Sequence, residues 1–266
     1  MSQALSSVAQ EQFDTEVKHA YQGMQTLRGC VKSRLGVVGD KYDFRNMGKG
    51  AATTRTGSSA DVVPMGIAHT LKVATLVDYE APEYTDIYDA QTVNFDEVTE
   101  LAESIAGAMG RRDDQSIIDA LATSTTTLVD ATPGLDTLTG ASELLNKVEA
   151  PLQDRYFVCD EAFLKALLNV TEVGSSDYNS VRTLMSGEIN TFMGFTFKVI
   201  GSGRAEGGLG GAAYAFHKAA IGHAVGIDMK TRVDWVPHKA SWLSLGMWKA
   251  GSVAIDVEGI VKITAA

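Results

Sequence analysis

The stretch NFDEVTELAESIAGAMGRRDDQSIIDAL, residues 94–121, decides the fold. Asn94 has the side chain of a helix cap, Glu97 three residues later completes a capping box, and the acids Asp96 and Glu97 sit at the positive end of the backbone dipole. Val98, Leu101, Ala102, Ile105, Ala108 and Met109 recur at helical spacing, and Ile117, Ile118 and Leu121 carry the pattern past the polar run RRDDQS. The spacing predicts a helix from Asn94 to Thr123, about 40 Å long at about 1.5 Å per residue. That length is unusual for a globular chain of 266 residues. Gly107 and Gly110 weaken the helix locally and allow another chain segment to approach its backbone.

Upstream, Phe13, Val17, Tyr21, Met24, Leu27 and Val31 form one thin apolar stripe at three- and four-residue spacing, which predicts a helical arm from Phe13 to Leu35. MGKGAATTRTGSSADV, residues 47–62, is made of small and polar side chains that bury almost nothing, and it reads as an exposed loop. GIAHTLKVATLVDYE and APEYTDIYDA alternate and are rich in β-branched and aromatic residues, so they read as extended strands of a projecting arm. Downstream come helix SELLNKVEA, strand DRYFVCD, helix EAFLKALLNV, loop TEVGSSDYNS and strand FMGFTFKVI, an α/β or α+β order. SVAIDVEGIVKI near the end reads as a hairpin turning at Glu258 and Gly259.

The net charge of −10 argues against a protein whose main task is to grip phosphate backbones. Cys30 and Cys159 stand far apart without a CxxC spacing, which suggests free thiols rather than a disulfide framework or a thiolate metal site. The first residues lack a cationic leader and an apolar run, so no signal peptide is expected, and the most apolar C-terminal window is interrupted by His217, Lys218 and His223, so no membrane span is expected either. Charge is unevenly placed. Arg28, Lys32, Arg34, Lys41, Arg45, Lys49 and Arg55 precede a run of acids, Asp78, Glu80, Glu83, Asp86, Asp89, Asp96, Glu97, Glu100 and Glu103. Two solvated faces are one reading. The other is a pair of complementary surfaces on successive copies of the chain.

Several motifs imitate chemistry. In AFHKAAIGHAVG, residues 215–226, two histidines bound to one zinc would need ring nitrogens within roughly 4 Å of each other. On a helix His217 and His223 lie about 9 Å apart along the axis on different faces, and on a strand about 20 Å apart. No metal site is expected. Gly208, Gly210 and Ala213 match a dinucleotide fingerprint, with Asp228 near the ribose-binding offset. The polar GSGRAEG separates these glycines from the strand before them, so a glycine-rich surface loop is the better reading. Asp113 and Asp114 are adjacent to Arg111 and Arg112, and a helix-surface ion network is expected there. GxxxxGK[ST], HExxH and GxSxG are absent. No catalytic residue and no cofactor are expected.

The order of segments resembles the major capsid proteins of tailed bacteriophages. The resemblance is carried by YEAPEYTDIYDAQTVNFDEVTELAESIAGAMGRRDDQSIIDAL, similar to that family's extended loop running into its spine helix, by YFVCDEAFLKALL with FMGFTFKVI, and by AYAFHKAAIGHAVG followed by SVAIDVEGIVKI. It implies an α+β phage major-capsid-like fold: N-terminal arm 1–41, extended β loop 42–90, peripheral domain with long spine helix 91–139, axial α/β domain 140–235, and C-terminal strands 236–266 returning to the peripheral domain. It implies a structural protein that self-assembles through hexamers and pentamers into an icosahedral shell around double-stranded DNA, touched by weak non-specific contacts. The shell would be assembled in the host cytoplasm and located in the virion capsid. Separate scaffolding, portal and decoration proteins stay open as partners; a fused scaffolding leader is not apparent. Arg28, Arg34, Arg45, Lys49, Arg55, Asp78, Glu80, Glu83, Asp86, Asp89, Glu97 and Glu100 are the candidate intersubunit residues. Two alternatives stand beside this reading: an encapsulin-type shell around protein cargo, and a nucleotide-binding enzyme using the 208–213 glycine cluster.

Overall fold

The computed structural model describes residues 25–59, 61–87, 97–130, 134–168 and 191–264. The long helix is α1, Glu97–Leu121, about 37 Å at about 1.5 Å per residue; Asn94, its expected cap, lies outside the described residues. In chain order the strands are β1 (Lys32–Leu35), β2 (Lys41–Met47), β3 (His69–Thr75), β4 (Val77–Asp86), β5 (Thr126–Val129), β6 (Arg155–Cys159), β7 (Thr191–Phe192), β8 (Phe195–Val199), β9 (Ala212–His217), β10 (Ile221–Val236), β11 (Ser241–Ala254) and β12 (Ile260–Thr264). Two shorter helices, α2 (Leu135–Lys147) and α3 (Glu161–Leu168), complete the described elements.

One sheet has the order β1-β10-β11-β4. Side chains alternate across its pleat, and each face has its own cover. Val225, Trp248 and Ala250 pack with Ile105 and Met109 of α1. From the opposite face Ala224, together with Ile255 beyond the end of β11, packs with Phe44, Ala74 and Leu76 at the base of the antiparallel β2–β3 ribbon. Tyr79 of β4 stacks on Trp248 at 4.7 Å, and the Arg112 guanidinium lies 5.0 Å over the Tyr79 ring. β4 is an edge of this sheet, paired through β11 alone among the described residues, and its Asp78, Glu80, Pro82 and Glu83 are exposed.

The second sheet has the order β5-β12-β9-β6-β8-β7. β9 shows how it is covered. Tyr214 and Phe216 join the cluster with Ile117, Ile118 and Leu121 of α1, whereas Ala213 and Ala215 join the cluster with Leu138 and Leu145 of α2 and Phe163 and Leu167 of α3. Each such buried Leu, Ile or Phe stabilises the fold by about 1.5–3 kcal/mol. Because its apolar stripe shifts around the axis, α1 backs one sheet with its first half and the other with its second.

Two expectations are corrected. From Gln25 onward the arm is not helical: a 3₁₀ turn at Arg28–Cys30 leads into β1, which pairs in parallel with β10 from Lys32 opposite Gly222. The stripe residues Leu27 and Val31 are buried as expected, but they are buried in the cluster under α1, where tertiary contact sets their conformation; Phe13 to Met24 lie outside the described residues. SVAIDVEGIVKI is not a hairpin. β11 ends at Ala254, a 3₁₀ turn at Val257–Gly259 follows, and β12 crosses to the other sheet between β5 and β9. The turn is held by Ile255 N and Asp256 N, both donating to Ala220 O, and by Glu258 N donating to Asp256 Oδ1. Alternation marks a strand without naming its partner.

At Gly251 of β11 a Cβ would stand 2.0 Å from Thr75 O, because the backbone linking β3 to β4 lies directly on the strand. Gly251→Ala is therefore expected to cost about 3 kcal/mol or more, whereas Gly57→Ala, in open space, should change stability by less than about 0.5 kcal/mol. Urea unfolding of the two variants measures both; equal midpoints would show that the link and β11 are not in contact.

Candidate functional site

The chemistry-bearing residues of the sequence converge on the middle of α1, in a manner opposite to the surface network expected there. Asp113 and Asp114 are both fully buried. The Asp114 carboxylate accepts from Thr26 N, from Thr26 Oγ1 at 3.1 Å and from Leu27 N at 2.9 Å, and it pairs with Arg204 Nη1 at 2.9 Å. Asp113 accepts from Gln25 Nε2, and its Oδ1 lies 3.1 Å from His223 Nε2, near enough for an ionic contact but off the line of a hydrogen bond. His223 Nδ1 meets Ser252 Oγ at 2.9 Å, which meets Ser116 Oγ at 2.8 Å. Gly110 admits the arm, since a Cβ there would stand 3.2 Å from Gln25 N. The neighbouring arginines are engaged elsewhere: Arg111 pairs with Glu206 at 2.9 Å, and Arg112 covers Tyr79. Adjacent helix positions do point apart, and here each direction leads into a different buried layer.

This junction joins the arm, α1, β10, β11 and the loop before β9. Its residues brace one another, and His223 is wholly buried. His217 ends β9 and caps the short turn after it, accepting from Ala219 N at 3.2 Å; burial lowers its pKa below the ordinary imidazole value, against the smaller opposing effect of Asp154. The two histidines thus belong to different sheets. Among the described residues no group of His, Cys, Asp and Glu could hold a metal ion.

The glycine cluster does not form a dinucleotide turn. Gly210 and Gly211 take φ values of 62° and 76°, open to glycine, and the chain then enters strand β9 rather than a helix whose N-terminus could face a phosphate. Leu209 within it is buried, so the loop is anchored rather than free. Asp228 pairs with Arg28 at 2.9 Å.

The charged candidates separate into engaged and open groups. Arg28 is held by Asp228, Lys49 donates to Val148 O at 2.5 Å beside Glu149, and Arg55 donates to Ser58 O. Asp78 lies 3.3 Å from Lys249, which also binds Asp40 at 2.7 Å. Asp86 stands opposite Ser241. Arg34, Arg45, Glu80 and Glu83 are exposed on β1, β2 and β4. Asp89 lies outside the described residues, as do the side chains of Glu97 and Glu100. What the charge pattern did not reveal is the apolar content of the ribbon: Met47, Leu71 and Val73 are exposed on its outer side, and Val62 (94% exposed), Val63 and Met65 at its tip. A run of valines within a polar loop was the available signal.

A family model described as phage capsid protein matches residues 5–266. Among solved structures, the capsid of the cyanophage P-SCSP1u is similar with a TM-score of 0.77 at 16% identity, over 96% of this chain and 92% of that one. The head structure of Helicobacter pylori bacteriophage KHP40 gives a TM-score of 0.78 at 10% identity, over 94% of each chain. The mature capsid of bacteriophage PhiM1 gives 0.69 at 13% identity, over 95% of this chain and 90% of that one. At such identities the likeness is one of fold. No curated protein matches the chain.

Asp114→Ala removes the carboxylate that buried Arg204 faces at 2.9 Å and leaves the backbone donors Thr26 N and Leu27 N without their acceptor, an expected loss of about 3–5 kcal/mol in chemical unfolding. Arg112→Ala, which removes a partly exposed contact with the Tyr79 ring and a long hydrogen bond of 3.4 Å to its hydroxyl, should cost about 1 kcal/mol; comparable losses would place Asp114 at a solvated surface. Burial raises the pKa of both thiols, that of Cys159 to about 12. Neither cysteine should react with a thiol reagent at pH 8 before unfolding, and both should react after it.

Proposed function

The chain belongs to the phage capsid protein family, and from that membership we propose that its copies assemble through hexamers and pentamers into an icosahedral shell enclosing the double-stranded DNA of a tailed phage. As a phage capsid protein it is structural and not an enzyme, and its place is the virion capsid. The observation that carries the assembly reading is the β2–β3 ribbon. Its inner face is packed through Phe44 and Ala74, while its outer face and tip expose Met47, Leu71, Val73, Val62, Val63 and Met65. Apolar side chains held out on an arm without a core of its own gain their stabilisation against another molecule, and the neighbours similar in fold are capsids.

The division into arm 1–41, extended loop 42–90, peripheral domain 91–139, axial domain 140–235 and C-terminal strands 236–266 is part of the proposal. It is supported by the β2–β3 ribbon, which forms a two-stranded sheet of its own, and by β6, β7, β8 and β9, which share one sheet within 140–235. Of the charged candidates, Arg34 and Arg45 on one side and Glu80 and Glu83 on the other are open for contact between copies. Arg28, Lys49, Arg55 and Asp78 contribute through the loops and strands that they already brace. The net charge of −10 suits a container that holds DNA without adhering to it. Assembly in the host cytoplasm, with separate scaffolding, portal and decoration proteins, completes the reading.

Electron microscopy of the purified protein tests the shell directly. Deleting Gly48–Val62 is expected to leave the subunit within about 1 kcal/mol of the parent stability while abolishing closed shells. Normal shells from the deletion, or loss of cooperative melting, would contradict the role of the loop. Arg45→Glu should weaken assembly, and added salt should weaken the parent in the same direction; sedimentation unchanged by both would exclude an electrostatic contact.

A further inference from the structure

β10 is longer than its neighbour on one side. β1 covers it only from Gly222 to Val225, whereas β11 follows it to Val236. Beyond the irregular pairing near Ile227, β10 runs from Lys230 to Val236 in unbroken register with β11 and has no second partner strand among the described residues. Alternate residues of such a rim turn their N–H and C=O groups outward, a template for another strand. No proline interrupts it before Pro237, and its side chains from Lys230 to Trp235 are exposed.

Charge selects the occupant. Arg232 and Asp234 stand two residues apart on one face of the pleat and pair at 3.2 Å within the chain, an exposed contact that leaves both accessible. A second copy of the same rim, laid antiparallel and centred on Val233, sets each Arg232 opposite the other copy's Asp234. Four charges then alternate in sign around a square, and Lys230 stands diagonal to the second Asp234. Centring the pair on Arg232 or on Asp234 instead opposes like charges directly. Asp228, at the irregular start, is held by Arg28 at 2.9 Å, and Lys239, in the turn beyond the strand, lies over the Tyr84 ring. On the other face of the pleat the apolar side chains meet: Val233 is 40% exposed and lies opposite its own copy, with Trp235, itself 5.2 Å from Trp242, on the diagonal.

We infer that the β10 rims of two copies pair antiparallel about a two-fold axis at Val233, joining their sheets into one. The inference rests on the assembly reading above and gives that assembly an isologous contact, in which both copies present the same surface.

Val233→Cys tests the axis in assembled shells. The two introduced residues would have Cα atoms about 5.5 Å apart, within reach of a disulfide, so mild oxidation should yield a dimer joined from residue 233 to residue 233, identified by mass spectrometry. Thr231→Cys is the register control. Thr231 faces Trp235 of the second copy, so the two Thr231 stand about 13 Å apart, four residues at about 3.3 Å each, and these shells should stay uncrosslinked. The native Cys30 and Cys159 are buried. No crosslink from Val233→Cys, a crosslink from it to a native cysteine, or equal crosslinking of Thr231→Cys overturns the inference. Charge reversal supplies a second arm. Arg232→Asp and Asp234→Arg each oppose like charges twice across the axis and should each lower shell yield about fivefold, the factor for about 1 kcal/mol, whereas the double variant restores the alternation and should recover most of it. Unaffected single variants, or a double variant no better than either, overturn the contact while parent shells leave the capsid reading standing. A parent protein that forms no shells removes both.

Discussion

One buried carboxylate holds the arrangement together. Asp114 sits at the middle of the long helix, outside water, where an ionised group without partners would cost several kcal/mol. It is satisfied by two backbone donors and a hydroxyl of the arm and by the guanidinium of Arg204. Those donors come from segments remote in sequence, so the carboxylate is content only when the arm, the helix and the loop before β9 are in place together. Its neighbour Asp113 does the same toward β10 through His223. The arm is therefore fixed by charge at a point where it has no helix or strand of its own, and β1 begins only five residues after Leu27.

With the arm pinned, α1 serves as a shared wall. Its first half is pressed on β10 and β11 through Ile105 and Met109, and its second half on the other sheet through Ile117, Ile118 and Leu121. The same sheet that rests on α1 carries the ribbon on its back. Small residues set the spacings, most sharply Gly251 against Thr75 O. Such requirements are for size, polarity and period rather than for particular residues, which accounts for a fold shared with capsid structures at 10–16% identity.

Much of this was legible from residues 94–121, because a long amphipathic repeat fixes a helix without help from the rest of the chain. β6 and α3 were readable from their own composition, whereas α2 begins at Leu135, seven residues before the segment SELLNKVEA, and FMGFTFKVI divides at Met193 and Gly194 into β7 and β8. The arm from Gln25 was misread because Leu27 and Val31 satisfy helical spacing by themselves, while their actual conformation is set by α1 and β10. Asp113 and Asp114 were misread because two arginines adjacent in sequence are obvious partners, and the true partners lie far away in it. The terminal strands alternated correctly but belong to different sheets, which alternation cannot express. Of the candidate contact residues, the sequence supplied the charges; the ion pairs of Arg28 with Asp228 and of Asp78 with Lys249 are what separate these two from Arg45 and Glu83.

β4 ends its sheet with an outer rim that no other strand covers among the described residues. Along that rim Pro82 offers no N–H, and Asp78, Glu80 and Glu83 present charges of one sign. Two identical rims meeting edge to edge would bring these carboxylates together and leave the ladder interrupted at the proline. A capsid protein accumulates as many copies before any particle closes, the condition under which open strands recruit one another into fibrous aggregates. The rim of β4 thus opposes pairing of two copies through this edge.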